Sequence, residues 1–482
     1  MLKQRKQILF FVAIFLLIVS VFFTIRGLKS EDQLSATEKD YSVDLPQILE
    51  RGVLRATTNY NSTNYFVYRG EPMGFHLELL RLFAAHIGVE LEVYATNDLE
   101  ENLNCLLAEN ECDVIALDLT VTKSRSRIVS FTEPHGQSRQ VLVQRKPANW
   151  IAMRFSDIED RLVRNQLDLA GKTVHVQRNS AFVERLRNLM EEIGHSINIV
   201  EVDLEVEQLI EMVANGEIEY TVSDEQLARI NQNYYASIDG RTPLSFPQNL
   251  SWAVKKDMPL LLEAINEWMR EFTATSQFAG IYNKYYNNPR SLYIAKSSYN
   301  SLGGGNISVF DTYFKQYAGI VGWDWRLIAS LAYQESRFNH DAVSWAGAMG
   351  IMQLMPTTAE TLNVDSTSSV PEHILAGIRY LRWLDNILKE HVADDNERIK
   401  FVLASYNVGI GHVLDARRLA EKYEKDPNIW RDNVDYFILN KSKPKYYQDD
   451  VVRFGFARGE EPFQYVYEIL ERYEHYKNAV GG

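Results

Sequence analysis

The segment LAYQESRFNHDAVSWAGAMGIMQLMP, residues 331–356, decides the fold expected for the C-terminal part of this chain. Apolar residues at helical spacing, Trp325, Ile328 and Leu331, predict that it begins as the last turns of a helix ending near Glu335. Glycines follow in a turn, where a missing Cβ lets neighbouring backbone come close. Apolar surroundings raise a carboxyl pKa toward the value that suits a general acid near neutral pH, and Glu335 is expected in such surroundings. The apolar neighbours expected from the sequence are Trp345, Met349, Met352 and Met355.

Four short motifs follow one another in this part of the chain. They are Glu335-Ser336, Gly350-Ile351-Met352-Gln353, Ala404-Ser405-Tyr406-Asn407 and Tyr465-Val466. In this order, over about 130 residues, they resemble the motifs of the lytic transglycosylases, which cleave peptidoglycan on an all-α, lysozyme-like fold. Ile351 stands where that family usually has leucine and His340 where many relatives have proline, and neither position carries the chemistry.

The resemblance implies a mechanism with a single acid. Glu335 protonates the oxygen between N-acetylmuramic acid and N-acetylglucosamine and then takes the proton of the muramyl C6 hydroxyl. That hydroxyl attacks C1 and leaves a 1,6-anhydromuramyl end, an intramolecular step that profits from high effective molarity. The residues implied in substrate binding are Ser336, Gln353, Tyr406, Asn407 and Tyr465. Two alternatives stay open, in which Tyr465 only packs in the core or Ser336 only bonds the local backbone.

Other functions are possible because the motifs supply only one acid, whereas ordinary glycosidases use two carboxylates. The acids that follow Glu335, namely Asp341, Glu360 and Asp365, are expected to be surface charges. A hydrolytic muramidase would need a second, water-activating carboxylate. A wall-peptide sensor or scaffold would hold glycan without cutting it. These two functions are the alternatives to a lytic transglycosylase.

The first half of the chain has a different pattern, in which strands alternate with helices. VLRATT at 53–58 and LEVYAT at 91–96 are predicted strands around a helix, and the pattern returns with KTVHVQ at 172–177. Such alternation predicts parallel sheets with crossover helices, here in two α/β lobes. Residues 45–285 resemble the periplasmic solute-binding proteins of the amino-acid type. The positions that carry this resemblance are Gly74-Phe75, Thr120, Thr122, Arg125, Phe131 and Asp224.

The second resemblance implies a ligand between the two lobes. Arg125 would hold its α-carboxylate with a guanidinium fork, and Asp224 would hold its ammonium group, with Thr120 beside them. The ligand implied is an amino acid or a muropeptide, and the domain is expected to be non-catalytic and regulatory. The alternative is a cleft that has lost its ligand, in which Arg125 pairs with a carboxylate of a lobe. Candidates for an aromatic wall are Tyr60, Tyr65 and Tyr68.

The N-terminus predicts export from the cytoplasm. Lys3, Arg5 and Lys6 precede an apolar run at 8–25, which fits a signal peptide or an uncleaved membrane anchor. Both place the rest of the chain on the periplasmic side of the cell envelope. With the two resemblances, this segment makes the chain similar to membrane-bound lytic transglycosylases of the F type. That similarity implies peripheral attachment to the outer membrane, with an inner-membrane anchor as the alternative.

The length of the chain predicts a multidomain protein, since 482 residues are more than a domain with a single hydrophobic core usually contains. The expected division is export segment 1–30, solute-binding-like domain 45–285, Ser/Gly-rich linker 286–307 and catalytic domain 308–482. In the last of these, Trp383 and Trp430 are expected in the core rather than on a sugar-binding surface.

Charge and cysteine content exclude some partners. A net charge of −13 argues against nucleic acid, so peptidoglycan glycan strands are the expected partner. Cys105 and Cys112 could form a disulfide in an exported protein, and two buried thiols are the alternative. Two cysteines and scattered histidines predict no metal site, and no cofactor is expected.

Overall fold

The computed structural model describes residues 44–108, 111–288 and 305–480. The expected export segment at 1–30 and most of the expected linker at 286–307 lie outside these described residues. Within the described residues, no helix has both the length and the apolar composition needed to cross a bilayer.

The described strands belong to the first half of the chain. They are β1 (Val53–Thr58), β2 (Phe66–Tyr68), β3 (Glu71–Met73), β4 (Glu90–Ala95), β5 (Val114–Thr120), β6 (Ser130–Phe131), β7 (Gly136–Ser138), β8 (Gln140–Arg145), β9 (Thr173–Gln177), β10 (Asn198–Val202), β11 (Tyr220–Asp224), β12 (Ile238–Pro243) and β13 (Gln248–Val254). They form two lobes. The six-stranded sheet has the order β4-β1-β5-β13-β6, with β7 beside β13, and the five-stranded sheet has the order β10-β9-β11-β8-β12.

The centre of each sheet is parallel, as the alternating pattern predicts. Strand β1 runs parallel to β4 and β5, and β9 runs parallel to β10 and β11. The prediction was wrong for two strands, because β13 is antiparallel to β5 and β8 is antiparallel to β11. These strands carry the chain from one lobe to the other, so each enters its sheet from the opposite end. The two crossings connect the two lobes.

The helices of the first half surround these sheets, and those of the second half pack on one another. They are α1 (Leu45–Arg51), α2 (Phe75–Ile87), α3 (Leu99–Leu107), α4 (Phe155–Glu159), α5 (Ala181–Ile193), α6 (Val206–Asn215), α7 (Glu225–Tyr234), α8 (Pro259–Thr273), α9 (Ser276–Tyr282), α10 (Asp311–Tyr317), α11 (Trp325–Ser336), α12 (Pro356–Thr361), α13 (Val370–Lys389), α14 (Asp395–Val408), α15 (Ile410–Lys422), α16 (Asp435–Leu439), α17 (Pro444–Tyr447) and α18 (Glu460–Ala479). The fold is thus a two-lobed α/β domain followed by an all-α domain, which confirms the predicted class.

Local sequence explains where the first helices begin and end. Asp44 caps the amide groups at the start of α1, and Gly52 ends it with a φ of 73°. Cys105 in α3 is bonded to Cys112 just before β5, so the pairing left open by the sequence is present. This bond fastens α3 to the entry of the central strand of the first lobe.

The helical domain is built around α11, whose residues from Leu327 to Tyr333 are all buried. Helix α18 packs along it, and the Ser330 hydroxyl donates a hydrogen bond to the Ile469 carbonyl at 2.7 Å. This bond joins two helices about 140 residues apart in the sequence. The segment that carries Glu335 is therefore the central element of its domain.

Two tryptophans of this domain have different surroundings. Trp430 is fully buried, as expected. Trp383 is 49% exposed, and its ring stacks on Tyr380 with centroids 5.7 Å apart. The core prediction was wrong for Trp383 because α13 buries Leu381 and Leu384 on its opposite face.

The hairpin of β2 and β3 joins the two halves of the molecule. Its Val67 side chain packs in the core of the helical domain, and Tyr476 of α18 donates a hydrogen bond to the Gly70 carbonyl at 2.8 Å. Gly70 has a φ of 81°, and a Cβ there would lie 2.5 Å from the Tyr333 ring. A larger residue at this turn would therefore push the hairpin away from α11.

Candidate functional site

Glu335 lies in the last turn of α11 and is partly buried. Its Oε1 atom accepts a hydrogen bond from the hydroxyl of Tyr465 on α18. Burial raises the pKa of Glu335 to about 7, while the Tyr465 hydrogen bond lowers it and the charge of Glu461 raises it. A carboxyl with such a pKa holds a proton for much of the time near neutral pH and can act as a general acid.

The side chains that shield Glu335 from water differ from those expected. Trp345 is fully exposed and Met355 is 46% exposed, so the prediction that they shield the carboxyl was wrong. Tyr406 and Tyr465 face Glu335 instead, and the pKa of each is raised by burial first and by the charge of Glu335 second. Tyrosine rings can exclude water and still offer a hydroxyl, which suits a site that must also bind a sugar.

Three of the four motifs meet at the turn that follows α11. The Ser336 hydroxyl donates a hydrogen bond to the Ile351 carbonyl at 2.8 Å, and the Tyr406 hydroxyl donates one to the Met352 carbonyl at 2.7 Å. Asn407 follows Tyr406 in the last turn of α14 and is partly exposed. The turn is thus fastened to α11 on one side and to α14 on the other.

Gln353 holds the same turn from within. Its Nε2 atom donates hydrogen bonds to the carbonyls of Ala342 at 2.9 Å and Gly350 at 2.8 Å. Gly350 has a φ of 76°, and a Cβ there would lie 2.3 Å from the His373 ring. Glycine is therefore required for the turn to pack on α13, as the motif suggested.

The acids that follow Glu335 do not form a second catalytic carboxylate. Asp341, Glu360 and Asp365 are all exposed, as expected. The structure instead brings Glu461 near Glu335, close enough for its charge to raise the pKa of that residue. Sequence reasoning missed Glu461, although it precedes Tyr465 by four residues and so lies on the same face of α18.

The residues predicted to bind a ligand meet in the interlobe cleft. Arg125 follows β5 of the first lobe, and its Nη1 atom donates a hydrogen bond to the Thr120 carbonyl at 3.2 Å. Asp224 ends β11 of the second lobe. Its pKa is raised to about 7 by burial and by the charge of Asp118, whereas Arg125 lowers it. The charges of this guanidinium and this carboxyl, which belong to different lobes, therefore interact.

The expected aromatic wall is not formed by Tyr65. Its hydroxyl lies 2.8 Å from Nδ1 of His475 on α18, and the side chain is fully buried against the helical domain. The prediction was wrong at this position because Tyr65 packs against the helical half of the molecule. The sequence does not show this contact between the two halves.

His76, Asp118 and His135 form the one group with a metal-ligand pattern among the described residues. The indole N–H of Trp252 donates a hydrogen bond to Nδ1 of His76 at 3.1 Å. That bond leaves the His76 proton on Nε2, the atom that points to Asp118 at 3.2 Å. A protonated nitrogen has no lone pair for a metal, so this arrangement of His76 does not suit a metal ligand.

Comparison with known families divides the chain into two matching parts. Residues 54–288 match the bacterial extracellular solute-binding proteins, family 3. Residues 312–429 match the transglycosylase SLT domain. The first match covers the two-lobed part of the molecule, and the second covers the helical part up to residue 429, before α16.

The chain is also similar to whole proteins. A protein of Desulfosudis oleivorans named membrane-bound lytic murein transglycosylase F is 33% identical over 89% of this chain and 90% of its own length. One of the same name from Aliivibrio fischeri is 30% identical over 92% of this chain and 86% of its own length. Among solved structures, a mutant of ArgBP from T. maritima matches 50% of this chain and 99% of its own with 23% identity and a TM-score of 0.43.

Replacing Tyr465 with phenylalanine is expected to raise the pKa of Glu335 further. The hydrogen bond from the Tyr465 hydroxyl lowers this pKa. Without it, the rise of the pKa that burial causes is no longer offset by this bond. Carboxyl NMR titration of Glu335 in the Tyr465→Phe variant would measure the change. Tyr467→Phe is the matched control, because the Tyr467 hydroxyl bonds Asp435 at 2.6 Å. An unchanged or lower pKa in the Tyr465 variant would contradict the assigned contact.

Proposed function

The chain belongs to the family of membrane-bound lytic murein transglycosylases F, and we propose that Glu335 is the single acid and base of its reaction. It is a lytic transglycosylase that acts on peptidoglycan. The observation that carries the proposal is the partly buried Glu335 carboxyl, with a pKa of about 7 and a hydrogen bond from Tyr465.

The first step is cleavage of the β-1,4 bond between N-acetylmuramic acid and N-acetylglucosamine. Protonated Glu335 gives its proton to the bridging oxygen, so the C1–O bond breaks and the N-acetylglucosamine side leaves as an alcohol. The positive charge that develops at C1 is taken up by the neighbouring N-acetyl group of the substrate. This step needs no second carboxylate, which fits the exposure of Asp341 and Glu360.

The second step closes the anhydro ring. Glu335, now a carboxylate, accepts the proton of the muramyl C6 hydroxyl. The oxygen of that hydroxyl forms a bond to C1 at the same time, and Glu335 becomes an acid again. Ser336, Gln353, Tyr406 and Asn407 are proposed to hold the muramyl sugar and its acetamido group. This proposal is supported by their position at the turn 350–353, because Ser336, Gln353 and Tyr406 all donate hydrogen bonds to the backbone of that turn.

Hydrolysis is the alternative outcome at the same site. It requires a carboxylate that activates water, and Glu461 is the acid whose charge reaches Glu335. Because Glu461 is exposed, it is solvated and poorly placed to be held in one orientation. We therefore favour the intramolecular reaction, and we propose the catalytic domain at 308–482.

Residues 45–285 are proposed to be a non-catalytic, regulatory domain, joined by the linker at 286–307. Its ligand is proposed to be an amino acid or a muropeptide, held by Thr120, Arg125 and Asp224. Support comes from the interaction between the charges of Arg125 and Asp224, which belong to different lobes. A zwitterionic ligand would satisfy both charges at once.

The cell envelope is the proposed location, since the relatives are named membrane-bound. We place the chain on the periplasmic side of the outer membrane, with an inner-membrane anchor at 8–25 as the alternative. Density-gradient separation of the two membranes, followed by immunodetection of the full-length chain, distinguishes them. Recovery in the inner-membrane fraction alone would reject the outer-membrane placement.

The Glu335→Gln variant tests the proposed reaction. The full-length enzyme is expected to release muropeptides one water lighter than hydrolysis products, and the variant should be slower by about 100-fold or more, since general acid–base catalysis contributes that much. Mass spectrometry of digested sacculi measures both effects. Glu360→Gln, at an exposed position, is the control and should keep the wild-type rate. Reducing ends that disappear in Glu461→Gln would instead establish hydrolysis.

The Arg125→Ala variant tests the proposed ligand site. Loss of a charge-assisted, bidentate contact should weaken binding by about tenfold or more, measured by calorimetry with amino acids and purified muropeptides. The rate without ligand should stay the same, and any change of rate caused by ligand should disappear. Arg127→Ala, an exposed residue of the same turn, is the control. If Arg125→Ala alters neither binding nor rate, the ligand site and its regulatory role are both rejected.

A further inference from the structure

The exposed side chain of Trp383 has no role in the reaction described above. Trp383 lies inside α13 and is 49% exposed, although tryptophan side chains are largely buried in most proteins. Its neighbours in α13, Leu381 and Leu384, are fully buried. The helix is therefore firmly packed in its domain, and the indole ring is exposed because it points away from that core.

A series of ring contacts connects Trp383 to the candidate active site. The Trp383 ring stacks on the Tyr380 ring, with centroids 5.7 Å apart and an angle of 13° between the planes. The Tyr380 ring in turn lies 5.3 Å from the Tyr406 ring, measured between centroids. The Tyr406 hydroxyl donates a hydrogen bond to the Met352 carbonyl in the turn after α11. Trp383 is thus two ring contacts away from a tyrosine that helps to build the site.

The two tyrosines of this series share their supporting side chains. Both Tyr380 and Tyr406 pack against a small buried cluster of Leu354, Ala359 and Ala376. Leu354 directly follows the turn at 350–353, so the turn supports both rings. Each of the two tyrosines is only partly buried. Tyr406, Tyr380 and Trp383 therefore form a contiguous group that begins at the candidate active site and ends at an exposed ring.

This group has the properties of a surface on which a sugar can bind. A single exposed apolar side chain would need no explanation, but Trp383 continues a row of rings that starts at a motif residue. The C–H face of a pyranose ring is apolar and can pack flat on an indole ring, which removes both surfaces from water. Because the stack on Tyr380 already orients the indole, little further ordering is lost when a sugar binds.

Hydrogen-bond donors border the exposed indole. Arg379 precedes Trp383 by four residues, so it lies one turn away on the same face of α13, and it is exposed. Arg382 is 46% exposed and lies 3.7 Å from the Asp385 carboxylate. A guanidinium group can donate to sugar hydroxyls and to the carboxylates of wall peptides. An aromatic ring bordered by such donors suits a glycan strand, which offers apolar ring faces and polar edges together.

We propose that Trp383 belongs to an outer subsite, in which a saccharide beyond the two at the bond to be cut stacks on its indole ring. This inference rests on the proposed active site at Glu335. A glycan strand is a continuous polymer, so the part that extends from Glu335 must lie on neighbouring surface, and the row Tyr406, Tyr380, Trp383 provides one. A contact that is equally strong before and during cleavage lowers KM and has little effect on kcat.

Cleavage of glycan strands of defined length by the full-length enzyme tests the outer subsite. Trp383→Ala is expected to raise KM for long strands by about tenfold, with a much smaller effect on the shortest strand that the wild type cuts. Trp383→Tyr keeps an aromatic ring and should restore most of the loss. Chromatography of the anhydro products gives the rates, and thermal melting checks that both variants fold. An equal loss on long and short strands, or a loss in kcat alone, would overturn the proposal.

Binding without turnover gives a second readout. Cosedimentation with insoluble sacculi compares the Glu335→Gln variant with the double variant Glu335→Gln, Trp383→Ala, and the double variant should bind about tenfold more weakly. The matched control is Phe246→Ala in the Glu335→Gln background, because the Phe246 ring is 90% exposed and lies between β12 and β13 of the other domain. This control should bind as Glu335→Gln does. An equal loss in the Phe246 and Trp383 variants would overturn the subsite.

The outcomes separate the outer subsite from the active site on which it rests. If Glu335→Gln cleaves at the wild-type rate, the active site and the subsite are both rejected. If Glu335→Gln is inactive but Trp383→Ala matches the wild type on every strand, the subsite is overturned and the active site stands. Sedimentation analysis in detergent tests another occupant of this surface. A wild-type dimer that Trp383→Ala converts to a monomer, with KM unchanged, would assign the surface to a second copy of the chain and overturn the proposal.

Discussion

The packing of α18 along α11 is the contact on which the candidate active site depends. It places Tyr465 against Glu335, and one turn later it is fixed by the bond from Ser330 to the Ile469 carbonyl. Taking a carboxyl out of water raises its pKa, while the hydroxyl limits that rise by stabilising the ionised form. A group used first as an acid and then as a base needs both effects, because neither protonation state can be strongly disfavoured.

The other motif residues mainly give the site its shape. Ser336, Tyr406 and Gln353 all donate hydrogen bonds to carbonyl groups of the turn after α11. Each of these side chains thereby fixes the backbone near Glu335 as well as its own position. Rigid surroundings of this kind suit the intramolecular reaction, because the C6 hydroxyl can reach C1 only when the muramyl sugar is held in one conformation.

The two halves of the molecule are joined by the same helices that build the site. Tyr333 of α11 donates a hydrogen bond to Glu71 at 2.6 Å, and Tyr476 of α18 donates one to Gly70. The hairpin of β2 and β3 thus packs on the two helices that carry Glu335 and Tyr465. In the first half, Nε2 of His135 and the Tyr286 hydroxyl contact the Asp118 carboxylate and hold it in place.

The sequence by itself determined the two-part architecture, the motif order and the choice of Glu335, because these depend on local periodicity and on residues at fixed spacing. The two family resemblances also pointed to Gly350, Arg125 and Asp224. Only the tertiary structure decided which side chains desolvate Glu335, since Tyr406 and Tyr465 arrive from helices far along the chain while the adjacent Trp345 faces water. The antiparallel strands, the use of Tyr65 between the halves and the contact between His135 and Asp118 likewise depend on long-range packing. Such contacts leave no periodic signal, because each joins single residues whose separation in the sequence is set by the whole fold.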